Sequence, residues 1–180
     1  EEMNAFRYTD FGFQKFMEAA KKEAYFKNTI FVFVGDHGIR YNGTLDYFPK
    51  AWTEQGLTCE HVPLLFYAPA LLKPQRIPDI CSQVDILPTI ATLAKIPYSN
   101  NSLGRNLFDT VSTEVNSKEK YAFVIDHDVK TIGMVSSRYY YLKNYKTGKE
   151  ELVSMTGNEP VPVNAATDSI KNHLLRFTDA

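Results

Sequence analysis

The stretch Ile30-Phe31-Val32-Phe33-Val34-Gly35-Asp36-His37-Gly38 constrains the fold more tightly than any other. Residues 30–34 are β-branched or aromatic at every position, without polar alternation, and Asn28 and Gly35 bracket them. That pattern predicts a short strand covered on both faces, as in a parallel or mixed sheet with flanking helices. An acid, an imidazole and a glycine follow at once. In open α/β sheets ligands bind beyond the carboxyl ends of strands, so Asp36 and His37 stand where such folds put their chemistry.

The flanking sequence supports an α/β reading. Residues 9–26 form an amphipathic helix pattern: Thr9 suits an N-cap, and Phe13, Phe16, Met17, Ala20 and Ala24 share one stripe. Lys27-Asn28 is a short polar joint into the strand, which makes an α/β unit in outline. Residues 39–60 carry no clean period; Tyr41-Asn42-Gly43 reads as a turn, residues 47–55 as a short helix, and the whole as a wall or lid over the site. His61-Val62-Pro63-Leu64-Leu65-Phe66-Tyr67-Ala68-Pro69 is a second apolar strand whose early proline favours an edge or a strand beginning. Its direction is open. Parallel pairing with the first strand sets His61 at the opposite edge from His37, whereas antiparallel pairing brings both to one end.

Further along, residues 78–96 read as an entry loop and a helix that Ser82 or Asp85 caps, and residues 97–105 as an exposed loop. From residue 121 the period becomes that of strands, over residues 121–125, 131–135, 138–145 and 150–155, with Lys146-Thr147-Gly148 closing a hairpin. Short turns between them predict an antiparallel meander. Residues 169–177 form an expected terminal helix. The division expected is a main α/β part over residues 1–115 and a small antiparallel subdomain with its helix over residues 116–180.

A chain of 180 residues with 44% hydrophobic and 23% charged content can build an ordinary core. A net charge of −1 gives no excess of Lys and Arg with which to recruit nucleic acid or an anionic membrane surface. No apolar run approaches the roughly 18–20 residues of a transmembrane helix, and Glu1-Glu2 is not the start of a signal peptide. The first residue is not Met and a helix pattern begins almost at once, so a fragment or processed form is expected. Cys59 and Cys81 fit no metal-binding spacing and are read as either a pair or two buried thiols.

Asp36 and His37 offer one carboxylate oxygen and one imidazole nitrogen, a pair suited to Zn²⁺ or Mn²⁺ and less to Ca²⁺. The plainer alternative is a turn-capping Asp36 beside an ordinary loop histidine. His61 is read as a further ligand, a contact to an anionic group, or a surface histidine. Asp126-His127-Asp128 repeats the acid–imidazole theme at a strand end, where a hairpin turn is the common outcome. Arg40 lies close enough in sequence to reach an anion held at a metal, against the alternative of a solvated loop arginine. Tyr139, Tyr140 and Tyr141 alternate faces and read as packing. No Gly-rich phosphate loop, Gly-x-Ser-x-Gly elbow or Cys/His cluster appears, and no nucleophile is evident.

Taken together, residues 28–38, His61-Val62-Pro63-Leu64-Leu65-Phe66-Tyr67-Ala68-Pro69, Ser82-Gln83-Val84-Asp85-Ile86-Leu87-Pro88-Thr89-Ile90 and Ser102-Leu103-Gly104-Arg105-Asn106-Leu107-Phe108 resemble the C-terminal part of the sulfatase family. That family lies within the alkaline-phosphatase-like superfamily, and the chain looks most similar to its lipoteichoic acid synthase-like branch of bacterial phosphoglycerol transferases. The resemblance implies an α/β fold: a partial alkaline-phosphatase-like mixed sheet with flanking helices plus a small C-terminal antiparallel sheet. It implies Asp36 and His37 as metal ligands. His61 matches a ligand position of two-metal relatives that single-metal lipoteichoic acid synthases do not require.

The cofactor implied is a divalent metal: Mn, Zn or Mg, or Ca in a true sulfatase. Sulfatases commonly carry a lysine and a Tyr-Glu pair between these motifs; residues 43–60 offer no convincing counterpart, which weakens a sulfate-ester reading. A sulfatase, or a non-catalytic binding module, is the alternative. In the family the nucleophile and the remaining acidic ligands lie N-terminal to the part seen here, so the fragment alone is expected to be inactive. The partners implied are the N-terminal half of the same protein and a phospho- or sulfo-ester substrate. Apart from the resemblance, the exposed edge of so partial a sheet leaves open whether a second copy caps it, and the net charge gives no reason to expect nucleic acid. The setting implied is extracytoplasmic, with the parent anchored to a membrane by segments outside this chain.

Overall fold

The computed structural model describes residues 2–40, 48–109, 120–162 and 164–178. It is a mixed α/β structure with two antiparallel sheets and flanking helices. The chain packs as two units, residues 1–35 with 63–75, and residues 36–62 with 76–180.

In the first unit, helix α1 (Glu2–Ala20) and a 3-10 turn (Ala24–Asn28) precede strand β1 (Phe31–Val34). The helix starts well before the expected Thr9 cap. Thr9 lies inside it, and its hydroxyl donates to the Ala5 carbonyl, the back-bond by which a threonine is accommodated in mid-helix. Phe13 and Phe16 stack edge-on against Phe33 and Phe31 at 5.3 and 6.0 Å, and Phe26 of the 3-10 turn adds a tilted contact to Phe31 at 5.5 Å. The expected stripe therefore does face the strand. Cover is less complete than the unbroken apolar run suggested: alternation puts Phe31 and Phe33 under the helix, while Val34 on the other face is exposed.

The second strand of this unit settles the open direction. After α2 (Lys50–Thr53) and α3 (Leu57–Glu60), which belong to the other unit, the chain enters β2 (Leu64–Tyr67). β2 pairs with β1 antiparallel, Phe31 opposite Tyr67 and Val34 opposite Leu64. The segment leaving β1 and the segment entering β2 therefore start from one end of the pair.

In the second unit, β3 (Ala122–Asp126), β4 (Thr131–Val135), β5 (Tyr139–Asn144) and β6 (Glu150–Ser154) form the expected meander, each antiparallel to the next. Alternation along β5 divides its tyrosines as predicted. Tyr140 joins Ala51, Leu57, Ala122, Val135 and Leu142 in one cluster beneath α2 and α3. Tyr141 joins Met134 and Leu174 on the opposite face, beneath α5 (Ala165–Thr178). That terminal helix begins earlier than expected because Asn164 caps it: its side-chain oxygen accepts the Thr167 amide at 3.1 Å, and the Thr167 hydroxyl accepts the Asn164 amide at 3.0 Å.

Between these elements, a 3-10 turn (Gln83–Asp85) leads into α4 (Ile86–Leu93). Ser82 and Asp85 form a capping box at the 3-10 turn, and Asp85 makes no side-chain cap to α4 itself. The buried Asp85 accepts the Ser82 amide on one oxygen and the Arg105 amide on the other, each at 2.8 Å, and the Ser82 hydroxyl donates to the Phe123 carbonyl at 2.6 Å. The stretch around residues 82–89 is thus stitched to residues 104–107 and to β3. Cys59 and Cys81 are free thiols. No helix among the described residues is long and apolar enough to cross a membrane. The expected turn at Tyr41-Asn42-Gly43 and the expected division at residue 115 lie outside the described residues.

Candidate metal centre

Asp36, His37 and Gly38 follow β1 directly, and the backbone that presents them is fixed by two neighbours. The last turn of a helix leaves carbonyls without partners. Gly38 uses one of them: its amide donates to the Cys59 carbonyl of α3 at 2.5 Å. The approach is so close that a Cβ at residue 38 would lie 2.4 Å from the Thr58 carbonyl oxygen, which is why a glycine closes the motif. The Gln83 side chain also donates, through Nε2, to the Asp36 carbonyl at 3.3 Å.

With the backbone held, the side chains project outward, Asp36 92% and His37 71% exposed. Asp36 accepts the His37 amide on one oxygen at 2.9 Å. His37 Nδ1 lies 2.9 Å from the Gly38 carbonyl, and since a carbonyl only accepts, that nitrogen carries the proton. In the neutral ring Nε2 then holds the lone pair, 3.9 Å from the second Asp36 oxygen. A hydrogen bond that fixes the tautomer and leaves the other nitrogen free is how histidine ligands are prepared. One carboxylate oxygen and one imidazole nitrogen on the same side fit a divalent cation as two of its ligands. The Gly38 carbonyl, and after it the Asp36 carboxylate, raise the His37 pKa.

His61 is the residue that ends α3. Its amide bonds to the Leu57 carbonyl at 2.9 Å, and its carbonyl oxygen would lie 3.4 Å from a Cβ on Gly38. The two histidine segments are therefore neighbours through their backbones, while the His61 ring packs edge-on against Trp52 at 5.2 Å. Among the described residues, no group of three or more His, Cys, Asp or Glu side chains is arranged to hold a metal.

Arg40 is engaged by the acid that opens the second acid–imidazole run, Asp126-His127-Asp128. Its guanidinium bonds Asp126, at the end of β3. Asp126 is also the hinge of the Asp126-His127-Asp128 turn, its other oxygen accepting the amides of Asp128 at 2.8 Å and Val129 at 3.1 Å. Burial pushes the Asp126 carboxyl up, but the two amides and Arg40 outweigh it and the net shift is downward. Glu60, half-buried nearby, is raised by burial first and then by the charge of Asp126, with Arg40 and His37 opposing. The buried phenol of Tyr140 feels Glu60, Asp126 and Arg40 as well, its pKa raised chiefly by burial. A polar cluster of Arg40, Glu60, Asp126 and Tyr140 thus adjoins the motif, and nothing in the linear order signals it, because Arg40 and Asp126 stand 86 residues apart.

A strand that runs out into an adjoining carboxylate–imidazole pair, held against the end of a short helix, defines an α/β protein with a candidate divalent-metal motif. The chain belongs to the sulfatase family, whose described pattern, Sulfatase, matches residues 2–96. It is 36% identical to Arylsulfatase K of Gallus gallus over 81 residues, 45% of this chain and 15% of that protein. It is 27% identical to a Sulfatase of Formosa agariphila over 165 residues, 89% of this chain and 31% of that protein. It is also 26% identical to the Lipoteichoic acid synthase-like YvgJ of Bacillus subtilis over 156 residues, 79% of this chain and 24% of that protein. The matched parts thus span between 15% and 31% of the length of these relatives.

Proposed function

We propose that this chain is the C-terminal part of an exported, metal-dependent enzyme that hydrolyses or transfers a phosphate or sulfate ester, with Asp36 and His37 as two ligands of its metal. One observation carries the reading. His37 commits Nδ1–H to the Gly38 carbonyl and turns Nε2 toward the side on which the Asp36 carboxylate lies 3.9 Å away. When bound, a divalent ion such as Mn²⁺, Zn²⁺, Mg²⁺ or Ca²⁺ supplies a Lewis acid against charge that develops on a transferring ester oxygen. The chain's own part is to hold the ligand atoms still: α3 anchors Gly38, and Gln83 anchors Asp36. His61 is kept as a further donor or substrate contact at the same end of the strand pair. The nucleophile and the remaining ligands belong to sequence N-terminal to residue 1, and the chain alone is inactive.

Two ester classes are in view. Phosphoryl or phosphoglycerol transfer is supported by the match to the lipoteichoic acid synthase-like relative across 79% of the chain, and by residues 43–60, which carry no Tyr-Glu pair of the kind expected of a sulfatase. Sulfate-ester hydrolysis is supported by the higher identity to Arylsulfatase K, 36%, over a shorter stretch. The test is to assay the full-length protein against an aryl sulfate and a phosphodiester with and without Mn²⁺ or Ca²⁺, beside its Asp36→Ala variant. Metal-stimulated turnover of either ester that Asp36→Ala abolishes supports the reading. Activity indifferent to both metal and Asp36 ends it.

A further inference from the structure

We propose that Arg40 and Asp126 are positioning residues for the Asp36-His37 pair, their bond tying the loop that follows the motif to the turn between β3 and β4. This deepens the metal reading above and rests on it. Three features of the second unit carry the proposal. The Asp126 carboxylate is not free to follow a wandering arginine, because its other oxygen is held by the amides of Asp128 and Val129. The guanidinium is confined from below: Gly56, in a left-handed conformation (φ 76°) at the start of α3, would put a Cβ 3.0 Å from Arg40 Nη1. The same short helix receives Gly38 at its far end.

The segment from Gly38 to Arg40 is therefore pinned at both ends to one rigid set of parts, α3 and the β3–β4 turn. The ligand pair is its immediate N-terminal extension. An arginine so placed is also poorly suited to the anion-binding role that its nearness to the motif suggests, since a carboxylate already neutralises it. The C-terminal sheet thereby acquires a purpose at the metal centre without contributing a ligand. The bond acts on the pair only through the backbone of residues 38–40, so its loss should cost less metal affinity than the roughly 10–100-fold typical of a partner bonded directly to a ligand.

The experiment uses the full-length protein, Mn²⁺ titration calorimetry, and hydrogen–deuterium exchange of the peptide covering residues 36–40 in the metal-free state. Asp126→Asn is the informative variant, because it retains an oxygen for the Asp128 and Val129 amides while presenting the arginine with a donor. Asp126→Asn and Arg40→Gln are expected to speed exchange of that peptide and to weaken Mn²⁺ binding about three- to tenfold, below the range for a partner bonded directly to a ligand. The double variant should be no worse than either, and Arg40→Lys should recover part of the loss. Wild-type exchange and wild-type Mn²⁺ affinity in Asp126→Asn, alongside loss of Mn²⁺ binding in Asp36→Ala, overturns the positioning role and leaves the metal reading intact. Unaltered Mn²⁺ binding in Asp36→Ala overturns both.

Discussion

Replacing Gly38 by Ala tests how the motif is held. The new methyl would sit 2.4 Å from the Thr58 carbonyl oxygen and 3.2 Å from that of Cys59, where ordinary contact begins near 3.4 Å. Both obstacles are backbone atoms, so no side chain can swing aside. The segments must part by about 1 Å, which stretches the Gly38–Cys59 hydrogen bond from 2.5 Å to beyond the useful range. The lost bond costs about 0.5–1.5 kcal/mol. The forced displacement adds about 1–3 kcal/mol. A total of roughly 1.5–4.5 kcal/mol lowers the melting temperature of a chain this size by roughly 3–18 °C. Thermal unfolding followed by the emission of Trp52, the single tryptophan, reads this directly, since Trp52 lies in α2 of the same unit. A Gly38→Ala variant melting within about 1 °C of the parent refutes the close docking of the motif on α3.

Other consequences are as open to measurement. Asp85→Ala strands the part-buried amides of Ser82 and Arg105, and urea unfolding should show a loss of about 1–3 kcal/mol with an unchanged slope. The ring protons of His37 should titrate with a midpoint above 6.5 in the metal-free protein, falling part of the way back in Asp36→Ala. Because that pKa is raised on folding, its contribution to metal-free stability is complete below pH 6.5 and is lost as pH rises through the raised value, while metal binding strengthens over the same window. The Asp126 pKa is lowered, so its contribution is present above the ordinary value of 3.8 and is lost as pH falls through the lowered one. Asp126→Asn should accordingly flatten the acid limb of the stability profile.

Legibility in the sequence followed the range of the interactions involved. The four strands of the meander lie within a residue or two of their expected positions because alternation and turn residues act locally, and the split of Tyr140 and Tyr141 between faces follows from the pleat alone. The strand-end place of Asp36 and His37 was equally local. The start of α1 was missed because Thr9 looks like a cap from its neighbours, yet its hydroxyl can bond back into a helix already formed. The direction of β2 was left open because either pairing satisfies an apolar run, and only the register of Val34 with Leu64 decides it. The bond between Arg40 and Asp126 was beyond reach, since it depends on how α3 and β3 meet rather than on anything near either residue.

The central claim, that Asp36 and His37 grip a metal, is tested most directly by anomalous diffraction from crystals of the full-length protein grown with Mn²⁺. The account predicts a peak at ligand distance, about 2.0–2.2 Å, from an Asp36 carboxylate oxygen and from His37 Nε2, with Nδ1 still bonded to the Gly38 carbonyl. An active protein whose Mn²⁺ lies beyond ligand distance of both side chains contradicts it.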